Sequence, residues 1–296
     1  QEHCSDLQKI KSNSSVYQKG RVFRHEVHTL LTLPVCVPLS KSKITPPLWG
    51  VKWEVRMKIL VACEESQRVT VQLREREHEV YSCDIEPCSG GHPEWHIHED
   101  VIPLLNGDCE FHTQDGAYHK VVGQWDMIIA FPPCTHLAVS GARHFEKKRA
   151  NGRQREGLEF FCQFLVANCQ KVAIENPVNI IGGEYVKTWF PDIAEKYGLP
   201  IKPTQAIQPY EFGDHARKKT CLWLKGLPPL VPTNVVDCGE IMGNGFSVNA
   251  GLAYVRDENG KILPWNDPRT GKIRSKTFPG IAKAMATQWG DIAFAE

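Results

Sequence analysis

Trp125-Asp126-Met127-Ile128-Ile129-Ala130-Phe131-Pro132-Pro133-Cys134-Thr135 is the stretch on which the reading of the chain turns. An acidic residue introduces a short apolar run of the kind found in a parallel strand buried on both faces. The run stops at two prolines, which have no backbone N–H to donate. The ladder therefore ends there, and Cys134 is set down at the strand's carboxyl edge. In open α/β sheets that edge is where ligands bind and reactions occur. A thiol in that place is a candidate nucleophile, with a buried structural cysteine as the alternative reading.

Upstream, Lys58 to Ala62 reads as a first strand and Gln67 to Arg76 as a polar helix with Val69 and Leu73 on one face. Glu79 to Cys83 reads as a second strand, ending at Asp84. After a loop containing Pro87, Gly90, Gly91 and Pro93, the stretch His98-Glu99-Asp100-Val101 carries a third acidic position. Downstream, Leu158 to Cys169 reads as a helix, and Lys171 to Ile174 as a buried strand followed by Glu175-Asn176-Pro177. This alternation predicts an α/β fold, a mainly parallel sheet with helices on both faces. Beyond Pro200 the texture changes. Residues 201–234 hold seven prolines or glycines around a strand-like Thr220 to Leu224. Residues 239–274 are rich in Gly and Asn, and Asn259-Gly260 between Leu252–Val255 and Ile262-Leu263 is a hairpin signal. Thr277 to Trp289 reads as a closing helix.

The 296 residues are enough for a full core, and 23% charged with 42% apolar residues is a globular balance. A formal charge of +1 places any nucleic-acid surface in a local patch. No apolar run approaches the ~18 residues that a membrane span needs. The 11 cysteines are odd in number and irregularly spaced, which suits free thiols in a reducing cytoplasm. Residues 1–56 differ from the rest, being polar and irregular with Pro34, Pro38, Pro46 and Pro47. Their apolar patch at Leu30 to Leu39 lies too far from the start for a signal peptide. Trp53-Glu54-Val55-Arg56 can be encoded by a purine-rich stretch containing GGAGGTG, a bacterial ribosome-binding signal. We therefore expect Met57 to be the native start and residues 1–56 a non-native or disordered extension. The N-terminal mass of the product of the native locus tests this, and a product retaining residues 1–56 contradicts it.

Chemistry-bearing residues gather at the strand ends. Asp84 is placed to accept hydrogen bonds from ribose hydroxyls, and Asp100 to recognise an adenine amino group; a turn- or helix-capping Asp is the other reading of each. Cys134 and Glu175 follow neighbouring strands, and each is locked by proline. A thiolate that adds to C6 of a pyrimidine while an acid holds a proton on N3 makes C5 electron-rich enough to attack a methyl donor. Arg143, Lys147, Lys148, Arg149, Arg153 and Arg155 follow the thiol with only Glu146 opposing them. Such a run can close as a mobile segment over a phosphate backbone around an extruded base, or form a solvated helix face. Cys83, Cys88, His92, His96 and His98 match no standard zinc spacing, so no metal site is expected.

Pro133-Cys134, Glu175-Asn176 and Asp84, each after a strand, resemble the C5-cytosine DNA methyltransferases. Cys63-Glu64-Glu65-Ser66, Cys83-Asp84, Pro132 to Ala138, Ile174 to Pro177 and Thr220 to Pro228 are similar to a phage and prophage branch of that family. The likeness runs from about Met57 to Gly290. It implies a Rossmann-like S-adenosylmethionine-dependent methyltransferase, with Cys134 as nucleophile and Glu175 as the N3 contact. Asn176 would order the loop, and Lys218 or Arg217 would contact base or phosphate. Cys63, Glu64, Ser66, Asp84, Ile85, Asp100 and Pro132 would hold the donor. On this reading residues 57–226 form the catalytic domain, 227–274 a small irregular or β target-recognition region, and 275–296 a helix packing back. Besides the small size of that recognition region, the chain departs from the family in two places. Its first loop, Ala62 to Gln67, has no glycine. In Ala216-Arg217-Lys218-Lys219-Thr220, Lys218 takes the place of the family's first arginine and nothing basic takes that of the second.

Three other readings stay open. An amino-group methyltransferase uses an acid or Asn, two prolines and an aromatic at this strand end, where Cys134 stands. A non-catalytic protein could keep the fold to bind DNA or a nucleotide. RNA or a free nucleotide could replace DNA as substrate.

Overall fold

The computed structural model describes residues 56–239, 256–264 and 267–291. Nearly all of the expected N-terminal extension lies outside these residues. So do residues 240–255 of the expected recognition region, including the first strand of the expected hairpin.

The first strand forms as β1 (Lys58–Ala62), followed by α1 (Arg68–Arg74), β2 (Glu79–Cys83) and a two-residue β3 (His96–Ile97). An antiparallel pair, β4 (Cys109–His112) and β5 (Tyr118–Val121), stands apart from the main sheet. The stretch from Met127 forms β6 (Met127–Ala130). After it come α2 (Phe145–Ala150), α3 (Arg153–Leu165), β7 (Val172–Pro177), α4 (Tyr185–Trp189) and α5 (Pro191–Tyr197). The described chain closes with β8 (Gln205–Ile207), β9 (Thr220–Lys225), α6 (Pro268–Ser275) and α7 (Pro279–Gly290).

The main sheet has seven strands in the order β3-β2-β1-β6-β7-β9-β8. Strands β1, β2, β3, β6 and β7 pair in parallel, and β9 runs antiparallel to both its neighbours. The sheet is thus mixed but mostly parallel, as expected. The chain leaves β1 toward β2 on one side and returns to β6 on the other. The switch point of this sheet therefore lies between β1 and β6, at whose carboxyl ends open α/β sheets bind their ligands.

The strand residues alternate between two cores, as the two-residue period of a strand requires. Leu60, Ala62, Ile128, Ala130, Val172 and Ile174 face one core, which α3 and α5 cover through Leu158, Phe161, Phe164 and Ile193. Ile59, Val61, Met127, Ile129 and Ala173 face the other, covered by Val69 and Leu73 of α1 and by Ile281, Met285 and Trp289 of α7.

Several boundaries differ from expectation, those of α3 and β7 among them. Helix α3 begins at Arg153, five residues before Leu158, because Gly152 at φ 79 turns the chain into it and buried Gln154 is already needed inside. It ends at Leu165 because Val166 points into solvent. Strand β7 does not stop at Ile174. Its pairing with β9 carries it through Glu175, Asn176 and Pro177, opposite Leu222, Cys221 and Thr220. Of the expected hairpin, the bridge Arg256–Ile262 around Asn259-Gly260 is present.

Candidate active site

The carboxyl edge of β6 is stitched to β7 by side chains, because its prolines cannot continue the backbone ladder. Asn176, 1% exposed, donates from Nδ2 to the Pro132 carbonyl (2.7 Å). Its own Oδ1 accepts from Asn179 Nδ2 (3.0 Å), and Asn179 Oδ1 accepts from the Ile181 amide (3.0 Å). Val139 N–H to the Val178 carbonyl and Ile180 N–H to the Leu137 carbonyl complete the seam. The Cys134 carbonyl accepts from the amides of Leu137 (3.0 Å) and Ala138 (2.9 Å), which holds the thiol's backbone in a tight turn.

Because β9 runs against β7, its first residue lies at the carboxyl edge. Lys218, two residues ahead of it, comes close enough for its charge to act on Glu175. Burial and then the Glu175 charge push the Cys134 thiol up, while Lys218 and Arg274 pull it down. Burial likewise pushes the Glu175 carboxyl up, against the pull of Lys218. Thiol and carboxyl thus compete for one negative charge in front of two cations. Arg274 was not legible in the sequence as part of this site. It comes from α6, whose Arg274 carbonyl accepts from Lys218 Nζ (3.1 Å). Lys218 Nζ also lies 5.9 Å from the centre of the Phe278 ring. Arg217 is exposed.

The glycine-free loop after β1 is held by its side chains. Cys63 (φ 58) and Gln67 (φ 54) take left-handed backbone, and burial pushes the Cys63 thiol well up. Glu64, 3% exposed, turns its carboxylate onto the start of α1. It accepts from Val69 N–H (2.7 Å), Thr70 N–H (3.2 Å) and the Thr70 hydroxyl (2.8 Å). Gln67 clamps a second loop by donating to the His92 carbonyl (2.8 Å) and accepting from its amide (3.1 Å). That loop needs glycine at 90, since a Cβ there would fall 2.5 Å from Gln67 Cβ. Ser66 is half-exposed and lines a groove of about 570 Å³ between α1 and α7.

At the end of β2, Asp84 is half-buried and its carboxyl is pushed up by burial. One of its oxygens accepts from Glu86 N–H (2.9 Å). Ile85 beside it is 75% exposed, an apolar side chain facing water. Asp100 is exposed and caps a turn, accepting from Ile102 N–H (3.0 Å). Pro132 is buried, with its carbonyl held by Asn176.

The basic run is not a loose segment, because it folds into a 3-10 turn at Val139–His144, which holds Arg143, then α2 and the start of α3. Lys148 Nζ donates to the Thr135 carbonyl. Arg149 bonds the Tyr185 hydroxyl and stacks 3.8 Å over Trp189. Arg155 forks onto Asp192 (2.8 and 2.9 Å). Arg143, Lys147 and Arg153 are exposed. The cluster of Cys83, His92, His96 and His98 is engaged elsewhere. The Cys83 thiol reaches the Glu99 carbonyl, His92 meets Glu94, and His96 meets Ser82 and the Glu86 carbonyl. His98 meets the Ile85 carbonyl. Among the described residues no group of three or more His, Cys, Asp or Glu is placed to hold a metal ion. No helix among them is long and apolar enough to cross a membrane.

No protein-family model and no curated protein matches the chain. Among solved structures it is similar to a prophage-encoded candidate DNA modification methyltransferase from E. coli, at 13% identity and a TM-score of 0.36. The match covers 68% of this chain and 56% of that one, so the chain spans little more than half of that protein's length. A likeness this distant assigns neither family nor substrate.

Glu64 yields a prediction about pH. Burial raises its carboxyl from 4.5 to about 7 in the folded protein, so the folded state holds its proton to higher pH than the unfolded chain. Its contribution to stability therefore falls as pH rises from about 4.5 to about 7 and is level above that. Urea midpoints measured from pH 5 to pH 8 should decline in the wild type, and the decline should be smaller in Glu64→Gln. Equal declines would contradict this.

Proposed function

We propose that the protein transfers a methyl group from S-adenosylmethionine to C5 of cytosine in DNA through a covalent Cys134 adduct. The observation that carries this reading is the meeting of Cys134, Glu175 and Lys218 at one sheet edge, with Asn176 anchoring the loop that bears the thiol. In this mechanism the Cys134 thiolate forms a bond to C6 while Glu175 gives a proton to N3, and the electron pair of the C5–C6 bond moves to C5. S-adenosylmethionine, when bound, supplies the electrophilic methyl group for C5. Loss of the C5 proton to a base restores the C5–C6 double bond, breaks the C6–S bond and returns the thiolate, and the N3 proton returns to Glu175. The Glu175 carboxyl, pushed up by burial, suits an acid that gives a proton to N3. A proton on Glu175 also removes a negative charge that, after burial, pushes the Cys134 thiol up, so the two events favour each other.

The carboxyl edge at β1 and β6 suits the donor's adenosine end, with Asp84 for ribose hydroxyls and exposed Ile85 for the face of the base. Asp100 can accept from the adenine amino group through the oxygen that does not cap its turn. At the methionine end Glu64 and Gln67 are committed to packing, which leaves Cys63, Ser66 and the Pro132 turn to line the site. Arg143, Lys147, Arg153 and Arg217 are the exposed cations for a phosphate backbone, and Lys148 and Arg149 support the same surface. Residues 227–274 would read the target.

The same closed donor loop favours a second reading, a non-catalytic protein that binds DNA or a nucleotide. Calorimetry with S-adenosylmethionine separates the two, since heat of binding is expected on the first reading and its absence favours the second. With methyl-labelled donor and cytosine-containing DNA, label should appear in 5-methylcytosine. Cys134→Ala and Glu175→Gln should each lower the rate by roughly 10³-fold or more. Label on the amino group, or full activity in Cys134→Ala, would sink the mechanism.

A further inference from the structure

Trp189 is 50% exposed, an unusual place for the largest side chain, and its surroundings are polar. Glu184, Lys187 and Thr188 beside it in the chain are exposed, and the Arg149 guanidinium lies 3.8 Å from the centre of its ring. A protein-binding patch gathers apolar side chains, whereas an aromatic ring among cations is the surface that stacks bases beside phosphates. Over residues 143–156 six cations stand against two acids, Glu146 and Glu156, and Glu184 is paired with Lys187. The ring is also tied to the loop that bears Cys134. Arg149 donates to the Tyr185 hydroxyl, which donates to Gln154 Oε1 (2.9 Å), and buried Gln154 donates from Nε2 to the His136 carbonyl (3.1 Å). His136 stands two residues after Cys134, and Lys148, next to Arg149, holds the carbonyl of Thr135 between them. Indole, guanidinium and the thiol's loop are thus linked by a continuous chain of contacts.

We propose that Trp189, with Arg149 stacked on it, binds an unpaired base of a DNA strand whose phosphates lie along Lys147, Lys148 and Arg153. It rests on the reading of DNA as the ligand of this edge, and not on methyl transfer. An indole stacks on any base, since every base offers a π face, so the contact adds affinity without reading sequence. Arg149 is engaged by the ring and by Tyr185, which fixes the indole and keeps a positive charge beside the strand. A closed duplex keeps its bases paired and stacked on one another, so only a strand opened near the target can use this surface.

The test is the fluorescence anisotropy of a labelled short oligothymidylate mixed with the full chain, without donor and without cytosine. Trp189→Ala should weaken binding about 10-fold, and should change binding of an abasic strand of the same length by less than about 2-fold. Trp189→Phe, which keeps a smaller ring, should recover much of the loss. Lys147→Gln should instead weaken both strands alike and reduce the salt dependence by about one phosphate contact. If Trp189→Ala does not fold, Trp189→Leu, apolar but without a π face, takes its place. Unchanged binding of oligothymidylate in a variant of wild-type melting temperature overturns the proposal, as does an equal loss on the abasic strand. A wild type that binds closed duplex but neither strand overturns it alone, and one that binds no DNA overturns the reading beneath it as well. Oligothymidylate holds no target cytosine, so its outcome is separate from success or failure of methyl transfer.

Discussion

The hydrogen bond from Asn176 to the Pro132 carbonyl is the constraint on which the site depends. Two consecutive prolines end β6 cleanly but leave their segment without backbone donors, so the ladder cannot hold the chain beyond Phe131. A buried amide from the next strand supplies the missing donor, and its own carbonyl is satisfied by Asn179. The Cys134 turn, the seam to Val178 and Ile180, and the Lys148 contact at Thr135 all lie on the loop held this way. An unpaired carbonyl in this place would cost about 1–3 kcal/mol, and the thiol would lose its fixed position.

A second constraint is the reversed direction of β9. In a wholly parallel sheet the residues leading into a strand lie at the edge opposite the site. Reversal brings Lys218 to the carboxyl edge, and its bond to the Arg274 carbonyl then draws α6 over the same place. The chemistry of Cys134 and Glu175 is therefore set by elements from four distant parts of the chain. Burial pushes both groups toward their neutral forms, and the cations oppose that push without cancelling it.

Much of this was legible in the sequence because it is local. Apolar runs bounded by Asp126 and Pro132, or by Glu79 and Asp84, mark strands wherever they occur, and their ends mark the edge. The rest depends on pairing and packing. Nothing in Glu175-Asn176-Pro177 announces that β9 will extend the strand through it, since an antiparallel partner is a property of distant residues. Glu64 stands by position in the loop expected to hold the donor, yet its carboxylate accepts three hydrogen bonds at the start of α1. Asp100 follows the turn-capping reading of its type. The basic run reads as one patch, but Asp192 and Trp189, from other elements, divide it. Arg274 sits on a short polar helix with no pattern that distinguishes it from any exposed cation.

The central claim is that Cys134 bonds to the pyrimidine ring. Incubation with S-adenosylmethionine and DNA carrying 5-fluorocytosine tests it most directly, because fluorine at C5 cannot leave as a proton does and traps the adduct. The account predicts a denaturation-resistant protein–DNA species whose cross-linked peptide contains Cys134. Protein that binds both donor and DNA yet forms no such species would contradict it.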